Sequence, residues 1–120
     1  MNVLLVHDFR FEAAHRLPAV PVEHKCYRLH GHSYKIELAV RGPVDETTGW
    51  FIDYQQLFDA WEPLHELVDH HYLNEVEGLE NPTSEVLAKW IWDRIRPAIP
   101  SLCKVVVHET CVARCEYHGD

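Results

Sequence analysis

Apolar and polar residues alternate in two segments of the chain, which is the pattern of a β-strand with one buried face. In residues 8–17, the side chains on one face are those of Phe9, Phe11, Ala13, His15 and Leu17. In residues 32–41, they are those of His32, Tyr34, Ile36, Leu38 and Val40. The same parity, extended backwards, puts His30 on the face of His32. The pattern therefore predicts two strands whose apolar faces also carry histidines.

Two later segments have the three- and four-residue spacing of apolar side chains that is typical of helices. Asp53 followed by Gln56 resembles a capping box, which predicts that the first helix starts there, and Pro63 should kink or divide it. The second helix should follow Asn81-Pro82-Thr83-Ser84 and stop at Pro97. The two apolar faces are those of Leu57, Phe58, Trp61, Leu64 and Val68 and of Val86, Leu87, Trp90, Ile91 and Ile95.

The remaining segments complete the order of elements. The β-branched run from Lys104 to Thr110 predicts a third strand, and residues 114–118 predict a short fourth one. The order β-β-α-α-β-β predicts a single α+β domain over residues 1–120, with an antiparallel sheet and two helices on one face. Four strands leave two open edges, which must be covered or paired with other subunits.

The composition narrows the class of protein. With 120 residues, 47% hydrophobic residues and a net charge of −8, the chain is typical of one soluble domain and untypical of a nucleic-acid-binding protein. The N-terminus has no basic segment, and its apolar run Val3-Leu4-Leu5-Val6 is too short for a signal peptide or a membrane span. We therefore expect a cytoplasmic protein without a membrane partner, in which the four cysteines are thiols, ligands or a nucleophile rather than disulfides.

Three of the ten histidines predict a metal site. His15, His30 and His32 share the parity of the apolar strand faces, where an imidazole needs a partner. Gly31 leaves room for close backbone approach between the last two. Three histidines without an adjacent fourth ligand are the pattern of catalytic zinc, although iron, cobalt or nickel would also suit them. The alternative is a polar network of two strand histidines and an unrelated third.

Two further groups are candidates for proton transfer. Cys26 lies four residues before His30 and is a fourth zinc ligand, a structural thiol, or a nucleophile or base that a nearby metal and Arg28 would favour as a thiolate. Asp69-His70-His71 ends the first helical region, and an aspartate bonded to one ring nitrogen fixes the tautomer of a histidine. This triplet is either a solvated helix end or part of a Cys-His-Asp proton relay.

Glu109 is the one carboxylate predicted on an apolar strand face, because it shares parity with Val105 and Val107. A carboxylate there needs donors. It either pairs with an arginine or accepts two parallel N–H groups from a flat ligand, such as the amino-pyrimidine edge of a pterin or guanine. The spacing of Cys111 and Cys115 is a poor metal signature and predicts no role.

Together these motifs resemble the 6-pyruvoyl-tetrahydropterin synthase family over nearly the whole chain. Three residues separate Cys26 from His30-Gly31-His32, which is similar to the queuosine-pathway branch of that family. The tetrahydrobiopterin enzymes have a longer spacer, and a third branch has glutamate in place of the cysteine. The other segments that carry the resemblance are Phe11-Glu12-Ala13-Ala14-His15-Arg16-Leu17, Gly49-Trp50-Phe51-Ile52-Asp53, Leu67-Val68-Asp69-His70-His71-Tyr72-Leu73-Asn74, Asn81-Pro82-Thr83-Ser84-Glu85 and Glu109-Thr110.

The resemblance implies a fold and a reaction. The fold would be the tunnelling fold, in which the sheets of several subunits join into a barrel, usually as a dimer of trimers with active sites between subunits. The reaction would convert 7,8-dihydroneopterin triphosphate to 6-carboxy-5,6,7,8-tetrahydropterin, with loss of acetaldehyde and triphosphate. The alternatives are 6-pyruvoyl-tetrahydropterin synthase activity or a non-catalytic zinc- or purine-binding module.

The resemblance also implies roles for side chains. One zinc ion per subunit would be held by His15, His30 and His32, while Cys26, Asp69 and His70 would transfer protons. Glu109 would anchor the pterin edge, with help from Thr83 and Ser84 at the start of the second helix. The basic side chains that flank these motifs, and that we take as candidates for binding the triphosphate, are Arg16, Lys25 and Arg28.

Overall fold

The computed structural model describes residues 1–120 and contains one antiparallel sheet with the strand order β1-β2-β3-β4. The core contains side chains from one face of this sheet together with those of both helices, so the predicted α+β arrangement is confirmed. Two 3-10 helices, Lys25–Tyr27 and Leu73–Glu75, lie in the connections. The principal elements are β1 (Asn2–His15), β2 (His30–Pro43), α1 (Tyr54–Val68), α2 (Ser84–Ile95), β3 (Leu102–Thr110) and β4 (Ala113–Tyr117).

Strand β1 differs from its predicted bounds, because it begins at Asn2 and ends at His15 rather than spanning residues 8–17. Its first half pairs with the last residues of β2, from Asn2 opposite Pro43 onwards. The run Val3-Leu4-Leu5-Val6 is apolar on both faces, which hides the alternation from the sequence pattern. Beyond His15 the chain turns away, and the Leu17 amide donates to the Cys26 carbonyl at 2.8 Å.

Helix α1 has its N-cap at Asp53, as predicted, whereas α2 begins at Ser84, within the segment that it was predicted to follow. Asp53 caps α1 by accepting from the Gln55 amide at 2.9 Å, and Thr83 caps α2 by accepting from the Val86 amide at 3.1 Å. Pro63 lies within one continuous α1, so the predicted alternative of a divided helix is wrong. Its side chain is exposed, away from the helix face that packs on the sheet.

The overall shape is elongated, with principal extents of 58 × 23 × 23 Å. The radius of gyration of 15.6 Å exceeds the value of about 14 Å expected for a compact domain of this length. Long strands explain the difference, because β1 and β2 each have 14 residues and pair over their full length. The far edges of β1 and β4 are the outer edges of this sheet.

Candidate metal centre and active site

The pairing of β1 with β2 brings the three predicted metal ligands together. His15 lies directly opposite His30, and Ala13 lies opposite His32, so the three imidazoles project from adjacent positions of one face. Gly31 allows the strands to approach, since a Cβ atom at this position would lie only 3.3 Å from the Ala13 carbonyl oxygen. The ring centroids of the three histidines are 4.5–5.0 Å apart.

Backbone carbonyls fix the tautomers of two of the rings. His15 Nδ1 lies 2.9 Å from the Pro82 carbonyl oxygen, and His30 Nδ1 lies 2.7 Å from that of Arg28. A carbonyl oxygen only accepts, so each Nδ1 carries the proton and each neutral ring presents its Nε2 lone pair. The two Nε2 atoms face each other at 3.0 Å. Two lone pairs at this distance repel unless a proton or a metal ion lies between them.

The third ring adds an unsatisfied nitrogen at the same point. His32 Nε2 is buried and makes no hydrogen bond, although Glu109 Oε1 lies 3.0 Å away. Burial lowers the pKa of both His15 and His32 below the ordinary value of 6.5, and it outweighs the opposing influence of Glu109. Both rings are therefore favoured as neutral imidazoles, the form that binds metal ions.

The donor set fits a zinc-sized ion. The ligand atoms of His15, His30, His32 and Glu109 all lie within 4.8 Å of one another. Tetrahedral zinc with bonds of about 2.0–2.1 Å requires separations between ligands of about 3.3 Å, close to the 3.0 Å between the nitrogens of His15 and His30. The three histidines thus supply three converging lone pairs, as a catalytic site with an open position requires.

Glu109 lies at an irregularity in the pairing of β3 with β4. His108 is opposite Arg114 and Thr110 is opposite Ala113, which leaves Glu109 as the extra residue of a β-bulge, a device that aims side chains near active sites. Its Oε1 reaches His32, while its Oε2 accepts from the Ser84 hydroxyl at 2.7 Å. No arginine pairs with it, so the predicted alternative of an ion pair with arginine is not observed.

Asp69 and His70 form the contact that a proton relay requires. His70 Nδ1 donates to Asp69 Oδ2 at 2.8 Å, and Asp69 Oδ1 accepts from the Glu12 amide at 3.0 Å. These hydrogen bonds lower the pKa of Asp69, chiefly through the Glu12 amide, and raise the pKa of His70 through Asp69. His70 is also the only non-glycine residue with a positive φ, 57°, a conformation that costs about 1 kcal/mol or more.

Backbone hydrogen bonds to the edge of β1 hold the segment Asp69-His70-His71 in place. The His70 amide donates to the Glu12 carbonyl at 2.6 Å, and the Ala14 amide donates to the His71 carbonyl at 3.2 Å. His70 and His32 consequently line the same open cavity of about 580 Å³, which also contacts Gly31 and Tyr72. The predicted acid/base histidine thus lines a cavity that His32 also lines, and its catalytic role stays a prediction.

Cys26, the third member of the predicted proton relay, forms no contact with His70 that the structure records. It occupies the 3-10 helix Lys25–Tyr27, with its amide donating to His24 Nδ1 at 3.0 Å. Its half-buried thiol makes no hydrogen bond to Asp69 or His70, and it does not line the cavity that His70 shares with His32. The catalytic role of Cys26 stays a prediction.

The candidates for binding triphosphate lie in the same loop and its flanks. The Arg16 guanidinium stacks on the Tyr27 ring at 4.3 Å, and its Nε donates to the Tyr27 carbonyl at 3.2 Å. Lys25 and Arg28 are exposed. None of the three lines either cavity beside His32, so their predicted role stays a prediction.

Several supporting residues were not predicted from the sequence. Asn74 brackets the backbone of Arg16, accepting from its amide at 3.0 Å and donating to its carbonyl at 2.8 Å, which holds the end of β1 beside the cluster. The buried Tyr34 hydroxyl lies 3.2 Å from His15 Nδ1, and burial raises the pKa of Tyr34, which keeps the phenol neutral. The Pro82 carbonyl belongs to the backbone, so no residue type in the sequence indicates its role. Of these three groups, only Tyr34 could have been identified from the sequence, because its position in the alternation faces inward beside the histidines.

The helices of the structure are too short or too polar to traverse a bilayer.

The chain is similar to known proteins in both sequence and fold. A family model described as 6-pyruvoyl tetrahydropterin synthase matches residues 4–120. The 6-carboxy-5,6,7,8-tetrahydropterin synthase of Synechocystis sp. is 41% identical over 120 residues, which cover 95% of this chain and 92% of that protein. The dihydroneopterin monophosphate aldolase of Pyrococcus furiosus is 32% identical over 105 residues, covering 88% and 85%, respectively. The solved 6-pyruvoyl tetrahydropterin synthase of Caenorhabditis elegans is similar with a TM-score of 0.92 at 29% identity, covering 100% of this chain and 97% of that one.

Proposed function

Because this chain belongs to the 6-pyruvoyl tetrahydropterin synthase family of enzymes, we propose that it converts 7,8-dihydroneopterin triphosphate to 6-carboxy-5,6,7,8-tetrahydropterin, releasing acetaldehyde and triphosphate. Two observations support this reaction over others in the family. The Synechocystis relative is named for this product, and Cys26 precedes His30-Gly31-His32 by the short spacer of the queuosine-pathway branch. The enzyme would therefore act in queuosine biosynthesis.

The observation that carries the proposal is the convergence of three imidazoles on one point. The facing Nε2 atoms of His15 and His30, and the unsatisfied Nε2 of His32, favour a bound cation. We assign zinc to this position, one ion per subunit. A zinc ion held there supplies a Lewis acid for the hydroxyl oxygens of the substrate side chain. The backbone carbonyls behind His15 and His30 hold the rings in the ligating orientation.

Glu109 would fix the pterin ring relative to the cluster. A carboxylate accepts two parallel N–H groups from the amino-pyrimidine edge, with the strength of a charge-assisted pair. The Ser84 hydroxyl holds Oε2 from the start of α2, which orients the carboxylate before substrate arrives. Because Glu109 Oε1 lies 3.0 Å from His32 Nε2, a pterin edge held by Glu109 would lie beside the proposed metal ion.

Proton transfer would require groups from two subunits. His70, oriented by Asp69, lies on the cavity of His32, and Cys26 lies outside it. In a homo-oligomer built through the open sheet edges, His70 of one chain can meet Cys26 of another. Cys26 as a thiolate would move protons between the side chain and the ring carbons, and His70 would activate Cys26 or serve as the opposing acid/base. A dimer of trimers is the assembly that we expect.

Incubation of the zinc-loaded protein with 7,8-dihydroneopterin triphosphate, followed by product identification, tests the proposal. We expect 6-carboxy-5,6,7,8-tetrahydropterin and one acetaldehyde per turnover. A 6-pyruvoyl product without acetaldehyde would establish the rival synthase activity, and binding without any turnover would establish a non-catalytic module.

The catalytic assignment of Cys26 has its own test. Cys26→Ala should retain the metal and lose nearly all turnover, because the thiolate moves protons and does not ligate. Cys103→Ala is the matched control, since its thiol donates to the Ala39 carbonyl far from the cluster. Loss of metal from Cys26→Ala would instead make Cys26 a ligand.

A further inference from the structure

We propose that an opening in the sheet between β2 and β3 is the binding site for the polyphosphate chain of the substrate, with Arg10 and Lys35 as its anion ligands. This inference rests on the proposed function for the identity of the substrate. It concerns residues other than the flanking candidates Arg16, Lys25 and Arg28. The chemical class of the ligand is a linear polyphosphate ester.

The opening arises where the pairing of two strands stops early. β2 begins at His30 and β3 continues to Thr110, but the last pair between them is Lys35 opposite His108. Beyond this pair, residues 31–33 of β2 and residues 108–111 line opposite sides of a cavity of about 600 Å³. Backbone groups that would otherwise pair across the sheet are thus turned toward a space large enough for a ligand.

The cavity joins the two faces of the sheet. His32 and Glu109, which belong to the metal cluster on the helix-covered face, form part of its lining. Arg10, Lys35 and His108 also line it, and the alternation of strand side chains places them on the opposite face. His32 and Lys35 are three residues apart, which spans about 10 Å along a strand. This distance is comparable with the length of an extended triphosphate ester that starts at the metal.

The basic side chains form a row across the whole sheet. Arg10 is paired with Lys35, Lys35 with His108, and His108 with Arg114. Directly paired side chains have Cβ atoms about 5 Å apart, and like charges in such positions destabilise a sheet unless something compensates them. Arg10 and Lys35, which both carry a positive charge, are therefore unfavourable neighbours unless anionic groups lie close to them.

Carboxylates compensate the row unevenly. His108 Nε2 lies 2.8 Å from Glu37 and Arg114 Nε lies 3.0 Å from Glu116, so both side chains already have a close carboxylate partner. Lys35 has only a loose contact with Asp8, at 3.7 Å, and Arg10 forms no ion pair. The positive charge that carboxylates compensate least therefore lies at Arg10 and Lys35, beside the cavity.

Calorimetric titration with inorganic tripolyphosphate tests the site without requiring turnover. Arg10→Gln and Lys35→Gln should each weaken binding by about tenfold, since each removes a charge-assisted contact. Lys104→Gln is the matched control, because it removes one cation from the same sheet face outside the cavity and should change affinity less than twofold. Equal losses of affinity in all three variants would mean that binding depends only on the net charge of the protein, and would overturn the proposal.

Two further variants exclude other binding modes. Arg28→Gln tests the loop candidates, and a loss of affinity there with none in Arg10→Gln would overturn the assignment. His30→Ala removes a metal ligand but none of the row, so it should retain tripolyphosphate binding within about threefold. Disappearance of binding in His30→Ala would mean that tripolyphosphate ligates the metal, and the row would have no role.

The substrate itself separates this proposal from the proposed function. Arg10→Gln should raise KM for 7,8-dihydroneopterin triphosphate about tenfold while leaving the affinity for unphosphorylated dihydroneopterin unchanged. Tripolyphosphate binding without turnover of the triphosphate would remove the proposed function and keep the anion site. Turnover of the triphosphate with an unchanged KM in Arg10→Gln would keep the proposed function and overturn the anion site.

Discussion

At the scale of single residues, backbone carbonyls determine which nitrogen of each histidine ring is available to bind a metal ion. The Pro82 and Arg28 carbonyls each hold an Nδ1 proton, and so direct the Nε2 lone pairs of His15 and His30 at each other. Burial lowers the pKa of His15, so protonation is a poor way to relieve this repulsion. A metal ion relieves it, and each of the following substitutions separates metal binding from another role.

Replacement of His30 by alanine should remove the metal. Two remaining imidazoles bind zinc much more weakly than three, so we expect a metal content well below one per chain by elemental analysis. His118→Ala, a substitution of an exposed histidine beside Glu116, should keep a full complement. Full occupancy in His30→Ala would refute the three-histidine centre.

Replacement of Glu109 by glutamine should weaken pterin binding. The loss of a charge-assisted pair corresponds to about 10- to 100-fold in affinity, measured with a pterin by calorimetry. The metal content should not change, because the three histidines suffice. Glu77→Gln, at an exposed position, is the control. If Glu109→Gln instead loses the metal, the carboxylate is a fourth ligand rather than the pterin anchor.

Replacement of Asp69 by asparagine should move the titration of His70 to lower pH. Asp69 raises the pKa of His70 above 6.5, so the imidazolium stabilises the fold below pH 6.5 and this contribution disappears as pH rises through the folded value. The pKa of Asp69 is lowered, so its own contribution is present above pH 3.8 and disappears in acid. Asparagine retains the acceptor for the Glu12 amide but not the charge.

The measurement for Asp69→Asn is the NMR titration of the His70 ring together with the pH profile of kcat/KM. Both should shift in the acid direction by the same amount. His65→Gln, whose ring lies 3.8 Å from Asp69 without a hydrogen bond, should shift them much less. A profile that does not move would separate His70 from the rate-determining proton transfer.

At the scale of elements, the start of α2 serves both the fold and the site. The Thr83 hydroxyl accepts a hydrogen bond from the Val86 amide, whereas the hydroxyl of the adjacent Ser84 donates to Glu109. The preceding Pro82 supplies the carbonyl that holds His15. One helix end thus positions two members of the cluster, and the predicted help of Thr83 to the substrate has to compete with its capping role.

Thr83→Ala should lower the free energy of unfolding by about 1 kcal/mol, measured by urea denaturation, because α2 loses its cap. Ser84→Ala should cost less stability but should raise KM for the pterin, since Glu109 then loses its orienting donor. Equal destabilisation by the two substitutions would contradict this division of roles.

At the scale of the whole molecule, the outer strands and the exposed apolar side chains are the features that bear on the proposed assembly. The sheet is long and open at both edges, and several large apolar side chains remain exposed, among them Trp50 at 53% and Phe58 at 46%. Exposed apolar groups beside unpaired strand edges are typical of surfaces that associate. The proposed function requires that association bring Cys26 of one chain to His70 of another, because the two side chains form no hydrogen bond within one chain.

Co-expression of Cys26→Ala and His70→Ala chains should restore activity that neither variant has alone. If each site takes Cys26 and His70 from different subunits, about one quarter of the sites in a random mixture contain both. Differently tagged chains allow purification of the mixed oligomer, and its turnover is the measurement. Mixed oligomers without activity would place both residues in the same chain.

The sequence alone determined the features that depend on neighbouring residues. Alternation placed His15, His30, His32 and Glu109 on inward faces, because a strand has a period of two wherever it lies. Local capping chemistry located the start of α1 at Asp53, and the segment Asn81-Pro82-Thr83-Ser84 located the start of α2 to within one or two residues. The start of β1 was missed, since Val3-Leu4-Leu5-Val6 is apolar on both faces and has no period to detect.

The tertiary structure decided everything that depends on register and on contacts between distant segments. The alignment of His15 with His30, the Pro82 carbonyl behind His15, and the row from Arg10 to Arg114 all require particular strand pairings. A shift by one residue would reverse the faces, and no short segment encodes that choice. Register is fixed by the free energy of packing the whole core, so these contacts exist only once the chain has folded.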